Sequence, residues 1–309
     1  MISYAQNHED VLLRRAFVGQ RDGFYIDVGA HDPVFDSVTK HFSDCGWRGV
    51  NVEPIPRKAA AFASARPRDV NLAVGLSDRA GRTTFYEVVE APTVSTFSAE
   101  LADGYRGDGY TVAEHQVEVL TLADVCEQYA PSAIDFLSLD VEGHERLVLS
   151  GVDFRRWRPR VVVVEATRPG CQAPAHHEWE GLLLSADYRF AIFDGLNRYY
   201  VRGEEPELIA RLAVPANVFD NYTPYAQHQL EQELKRYRTL NPVRRLVRWV
   251  LDVRTGVPRK LRSVSSSRRA STPAASQTES KFAEDRDALA CGGDMIQSMQ
   301  GVPTPVRGE

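Results

Sequence analysis

The stretch LSLDVEGHE sets four ionisable side chains within six residues: Asp140, Glu142, His144 and Glu145, directly after the apolar Phe136, Leu137 and Leu139. Carboxylates at the end of a buried strand need partners or a metal ion, because loss of water disfavours their charge. Asp140 and Glu142 alternate about Val141 and so share one side of an extended chain, and Glu165 closes a second apolar run, VVVVE. The trio Asp140, Glu142 and Glu165 suits an oxygen-ligand magnesium or manganese site. Together with His144 it equally suits general-base work, taking a proton from a hydroxyl with no metal present. A network that merely caps strand ends is the third reading, and the residues leave all three open.

A second constellation lies earlier, in FYIDVGAHDP at residues 24 to 33. An apolar run enters Asp27, Val28, Gly29 and Ala30, as a dinucleotide-binding strand would, but His31, Asp32 and Pro33 stand where further glycines should follow. Glu53, 26 residues beyond Asp27, is placed to accept hydrogen bonds from the two hydroxyls of a ribose. A pyrophosphate demands close approach of several glycine backbones and a helix N-terminus free of carboxylates. Asp32 and Asp36 put negative charge there instead, which favours a nucleoside ligand with a positive or zwitterionic end. Gly29 is then the point of close approach, Asp27 a carboxylate for the ligand's ammonium or a bridging water, and His31 a group to orient donor or acceptor.

The elements that position these groups alternate. Residues 6 to 18 read as an amphipathic helix leading into the strand FYIDVG; SVTKHFSDCGW reads as a helix and RGVNVEP as the second strand. IPRKAAAFASARP is helical, DVNLAVG a third strand and RTTFYEVV a further strand, antiparallel because only a short turn with Gly81 precedes it. Residues 91 to 113 lack steady periodicity and read as a long loop with room for one short helix. QVEVLTLADVCEQYA is strand then helix, IDFLSLDVEG and PRVVVVEAT are buried parallel strands, HERLVLSGV and HHEWEGLLLSADY are helices, and RFAIFDGLNRYYVR is a closing hairpin about Asp194 and Gly195. The pattern specifies an α/β fold: a doubly wound, mostly parallel sheet closed by an antiparallel hairpin.

With 309 residues, 43% apolar and 26% charged, the chain can bury a sizeable core. A formal net charge of -5 argues against a generic nucleic-acid binder. Cys45, Cys126, Cys171 and Cys291 are scattered and form no CxxC pair, as expected of free thiols in a reducing compartment. MISYAQNHEDVLL is no secretion signal and no run approaches 18 apolar residues, so a cytoplasmic chain without a transmembrane segment is expected. The divisions read as a domain over 1–203, a helical extension over 204–254 with helix on both sides of Pro242, and a disordered tail over 255–309. Residues 241–270 carry nine Lys or Arg against one acid, Asp252, which allows peripheral membrane contact or a plain solvated face. Oligomeric state, a homo-oligomer included, is not legible.

In order along the chain, FYIDVGAHDP, GWRGVNVEPIP, VNLAVG followed by SDRAGRTTFY, then STF and IDFLSLDVEGHE resemble the FkbM-type family of S-adenosylmethionine-dependent O-methyltransferases. SYAQNHEDVLL resembles that family's entrance segment, and the resemblance covers roughly residues 3 to 203. It implies a Rossmann-like class I methyltransferase fold with S-adenosylmethionine at the strand ends. Asp27, Gly29 and Ala30 would hold the methionine portion, Glu53 the ribose, and the segment Asn71 to Val74, Ala73 included, would flank the adenine. The family's D-x-E-G-x-E element falls on Asp140, Glu142, Gly143 and Glu145, beside donor and acceptor, with Ser95 to Phe97 close by. Family members often continue the first loop with a small residue and asparagine, so residues 31 to 36 are candidates for acceptor-specific contacts. The family methylates hydroxyls of glycans, glycolipids and polyketide-type natural products. A sugar acceptor is expected here, since Tyr, Arg, Asn and Asp side chains cluster at 105 to 110 and 194 to 200. A nicotinamide oxidoreductase lacks its glycines, and a non-catalytic glycan- or protein-binding domain, with 222 to 254 as interaction module, is the rival from another class.

Overall fold

The computed structural model describes residues 1–239 and Leu246. Seven strands form the main sheet and are numbered in chain order: β1 Phe24–Val28, β2 Arg48–Val52, β3 Val70–Leu72, β4 Phe136–Leu139, β5 Val161–Glu165, β6 Tyr188–Phe193 and β7 Asn197–Arg202. Their spatial order is β3-β2-β1-β4-β5-β7-β6. The first five are parallel, while β7 runs antiparallel to both β5 and β6. The order reverses beside β1, which leaves a crevice beyond the carboxyl ends of β1 and β4.

Both faces of the sheet are covered, and this explains the near-continuous apolar runs. Ile26, Val28, Leu137, Leu139, Val162 and Val164 face a core closed by Leu122, Val125, Val148, Leu149 and Trp179. Their alternates Tyr25, Phe136, Val161, Val163 and Tyr199 pack on Leu12, Leu13, Phe17, Trp47 and Phe42. Leu208 and Leu212 of the helix Glu207–Leu212 join that second core, and Ile2–Ser3 pairs in parallel with Thr223–Pro224. The N-terminal segment and residues 204–224 are thereby built onto the same body.

Three expectations need correction. DVNLAVG is not one strand: β3 ends at Leu72, and Gly75–Ser77 pairs instead with Val112–Thr121. The strand Gly81–Val88 is antiparallel, but to Val112–Thr121, in a separate three-stranded sheet. Residues 91 to 113 do hold the one short helix expected, Ala99–Gly107, but more regular structure than a long loop besides, with the turn Pro92–Val94 before it and Val112–Thr121 beginning after it. Ser98 caps that helix by accepting from the Leu101 amide, and Gly104 and Gly107 interrupt the apolar period that would have revealed it. The first part of the C-terminal extension is helical over Tyr225–Thr239. Helix beyond Pro242, the stretch 241–270 apart from Leu246, and the tail from 255 lie outside the described residues.

Candidate active site

A cavity of about 430 Å³ opens at the carboxyl edge of the sheet. Five strand ends supply much of the wall: Asp27 to His31 at the end of β1, Glu53 to Ile55 after β2, Val74 to Leu76 after β3, Asp140 to Glu142 after β4, and Glu165 closing β5. The apolar strands exhaust their ladder partners at these residues, so polar side chains emerge where the sheet stops. Gln6, Asp36, Lys58, Phe97, residues 92 to 95 and the segment 167–172 apart from Pro169 also line it.

The glycine of the first loop is required. Gly29 has φ +80°, and a Cβ there would lie 1.7 Å from the Asp140 carbonyl oxygen, while the Asp140 amide donates to the Val28 carbonyl at 3.0 Å. The first and fourth strand ends are thus pressed together. The Gly29 and Ala30 amides both donate to the Val52 carbonyl, at 3.0 and 3.1 Å. Turned into the sheet, they make no phosphate cradle, in keeping with the missing glycines.

Glu53 is buried and fixed at both oxygens, accepting from the Ile55 amide at 2.8 Å and the His31 amide at 3.1 Å. Burial pushes its carboxyl up, against the pull of Lys58. His31 has φ 57°, and its Nδ1 lies 2.7 Å from the Lys58 ammonium. Burial first, and Lys58 second, lower the imidazole to about 4, so it is neutral and accepts that proton donor. Asp27 accepts from the Thr39 hydroxyl at 2.6 Å, which in turn accepts from Arg66 at 2.6 Å. Arg66 also donates to the Pro33 carbonyl and to Ser37, tying the loop 33–39 beneath the cavity.

Asp140, Glu142 and Glu165 bring carboxylate oxygens within 4.8 Å of one another. Burial raises all three above the ordinary carboxylate range, and mutual repulsion adds to it at Glu142 and Glu165. Glu165 Oε2 is buried without a hydrogen-bond partner. The loop that presents Glu142 is left-handed twice, at Glu142 (φ 52°) and Gly143 (φ 90°). Glu145 fastens it by accepting from the Gly143 amide at 3.0 Å and the Val141 amide at 3.3 Å, so this carboxylate is a clasp beneath the cavity. Thr96 donates to the Glu142 carbonyl at 2.8 Å, and Phe97 lies against Gly75, which explains why Ser-Thr-Phe stands near the acidic loop.

Some expected residues lie elsewhere. Asn71 and Ala73 do not line the cavity: the Asn71 side chain accepts from Asn51 and donates to the Arg66 and Asp69 carbonyls. Only Val74 of that segment reaches the wall. His144 also lies outside the lining, with its Nε2 3.1 Å from the Ser77 hydroxyl and its ring against Phe97. Lys58, Thr167, Arg168 and Gln6 line the cavity and were not singled out from the sequence. Lys58 alone had a legible signal, since it follows Glu53 in the first turn of Pro56–Ala65.

Six acids, Asp27, Asp36, Glu53, Asp140, Glu142 and Glu165, face two bases, Lys58 and Arg168, across the cavity. That balance suits a ligand carrying positive charge, as a sulfonium with an ammonium group does. The strand order and the strand-end cavity define a Rossmann-like class I methyltransferase fold. The chain belongs to the FkbM methyltransferase family: the family model described as Methyltransferase FkbM domain matches residues 27–190. It is accordingly an S-adenosylmethionine-dependent methyltransferase. Similar solved structures include a TehB-like SAM-dependent methyltransferase from Corynebacterium glutamicum, 9% identical, with a TM-score of 0.36 over 63% of this chain and 87% of that one. Another is the fibrillarin pre-rRNA processing protein of Methanococcus jannaschii, 10% identical, with a TM-score of 0.32 over 59% of this chain and 67% of that one. No curated protein matches the chain.

Proposed function

We propose that this enzyme moves the methyl group of S-adenosylmethionine onto a hydroxyl of a sugar, glycan or glycolipid. The observation that carries the reading is the convergence of Asp140, Glu142 and Glu165 in one cavity with the fixed Glu53, with one Glu165 oxygen left unpartnered. A hydroxyl is a poor nucleophile until its proton is removed, and a carboxyl raised by burial is a strong enough base to receive that proton once it is itself ionised. The carbon–sulfur bond breaks as the carbon–oxygen bond forms, and the sulfonium leaves as a neutral thioether. Positioning of the two reactants supplies much of the rate. Glu53 would hold the ribose hydroxyls, Asp27 and the Gly29–Ala30 turn the amino-acid end, and Val74 one face of the base.

The carboxylate trio also fits a hard divalent cation such as magnesium or manganese, whose charge would favour the ionised acceptor oxygen. The unpartnered Glu165 oxygen and the crowding of like charges both favour that fit. Incubation of the enzyme with donor and a panel of glycans, with and without chelator, tests both parts. A product heavier by one methylene is expected from a sugar acceptor, together with demethylated donor. Methylation of only amine or thiol acceptors overturns the sugar reading, and full activity in chelator overturns the cation.

A further inference from the structure

In the loop after β1, His31 holds a left-handed backbone, φ 57°, a conformation that histidine tolerates better than most side chains do. Its neighbour Asp32 is spent on the turn itself, accepting from the Val34 amide at 2.8 Å and the Phe35 amide at 2.9 Å, and does not line the cavity. His31 does line it, as do Glu53 and Lys58. The His31 amide donates to Glu53 Oε2 at 3.1 Å, so the imidazole stands one side chain away from that carboxylate.

The two ring nitrogens have different surroundings. Nδ1 lies 2.7 Å from Lys58 Nζ, and Lys58 has a second contact, with the Pro92 carbonyl at 3.4 Å. A proton shared between an imidazole and an amine rests on the amine, whose ordinary pKa is higher by about 4. An ammonium can only donate, so Nδ1 accepts and the ring's own proton is on Nε2. Burial lowers Lys58, and the Glu53 carboxylate opposes that fall and supports the ammonium. Nε2 has no hydrogen-bond partner among the described residues, and it is not sealed from solvent. A polar N–H in a cavity wall that no protein atom engages is available to a ligand.

What binds Glu53 selects that ligand. Each Glu53 oxygen takes one backbone amide, at 2.8 and 3.1 Å, and keeps a lone pair for a hydroxyl proton. A hydroxyl that donates to Glu53 still has lone pairs of its own to offer, and the Nε2–H beside it is the group that can use one. We propose that His31 binds the methyl donor, its Nε2–H donating to the ribose hydroxyl oxygen of S-adenosylmethionine that Glu53 engages, and that Lys58 is the positioning residue that fixes the imidazole. This rests on the reading of Glu53 as the ribose partner. It sets position 31 on the methyl donor's side of the cavity and not the acceptor's, a choice that the sequence left open.

NMR of the full-length enzyme with isotope-labelled imidazole nitrogens tests this. The His31 signal is the one absent from His31→Asn, a variant suited to the left-handed backbone. At pH 7 the free enzyme should show Nε2 protonated and Nδ1 bare. S-adenosylhomocysteine and 5′-methylthioadenosine, which share the ribose, should both shift the Nε2–H signal, whereas methionine should not. In Lys58→Met the ring should titrate at higher pH than in wild type, because the facing ammonium is lost while burial, Asp32 and Arg57 remain. His31→Phe should bind both nucleosides about 3- to 10-fold more weakly, the scale of one hydrogen bond. The spectra decide the matter where His31→Phe does not fold. A proton on Nδ1 in the free enzyme, an Nε2–H signal that moves only with an acceptor sugar, or an unchanged titration in Lys58→Met overturns the proposal. So does nucleoside affinity that falls in Glu53→Ala and not in His31→Phe, an outcome that leaves the proposed function standing. Failure of the wild type to bind either nucleoside overturns the proposed function as well.

Discussion

Gly29 and Glu53 are the residues on which the site is hung. A side chain at position 29 would collide with the Asp140 carbonyl, and φ +80° is already unfavourable for any other residue. Gly29→Ala should therefore cost more than about 3 kcal/mol in urea unfolding, or give no folded protein. Glu53→Ala should leave the fold intact and weaken S-adenosylhomocysteine binding by about 10- to 100-fold in calorimetry, the loss of a pair of charged hydrogen bonds. An unchanged affinity would show that the ribose lies elsewhere. Asp27, Gly29, Glu53 and the acidic trio were legible from the sequence because each ends an apolar run, where an acid or a glycine has no packing reason to be. Arg66, the neutral state of His31 and the clasp made by Glu145 were not, because each depends on contacts between loops distant in the chain.

The loop after β4 holds two of the three clustered carboxyls, Asp140 and Glu142, and its neighbours give it its shape. Thr96 and Glu145 hold the left-handed turn that brings Glu142 beside Glu165. Glu142→Gln and Glu165→Gln should each lower kcat by about 10²- to 10⁴-fold, the range for loss of a general base, with donor affinity little changed. If both variants keep wild-type kcat, the trio takes no proton. The main strands could be read from apolar runs of four to six residues between helices. The small sheet could not, since Gly81–Val88 and Val112–Thr121 pair across the 23 intervening residues 89 to 111 and nothing local marks which sheet they join. His144 shows the same limit: adjacency in LDVEGHE suggested a partner for the acids, but the backbone turn at Glu142 and Gly143 sends it to Ser77.

Across the whole molecule, the buried carboxyls set how stability depends on pH. Burial raises Glu145 to about 7 and Glu9 to about 8, from 4.5, and lifts the acidic trio in the same direction. A carboxyl raised in the folded state binds its proton more tightly folded than unfolded, so the stability it adds is complete below pH 4.5 and is lost as pH climbs through the folded value. The ligand-free enzyme should accordingly melt lower at pH 8 than at pH 6. Glu145→Gln, which keeps the accepting Oε1, should flatten that fall and leave the protein more stable than wild type at pH 8 by on the order of 1–2 kcal/mol. A wild-type melting temperature that rises from pH 6 to pH 8 would contradict the account. A cationic donor would offset the burial and repulsion that raise the acids facing the cavity and would favour their ionised forms, and this gives the central claim its most direct measurement. Titration calorimetry of the purified enzyme with S-adenosylmethionine should show one site per chain, weakened about 10- to 100-fold in Glu53→Ala and followed by methyl transfer once a sugar acceptor is added. No heat of binding, with no demethylated donor formed in the presence of any acceptor, would contradict it.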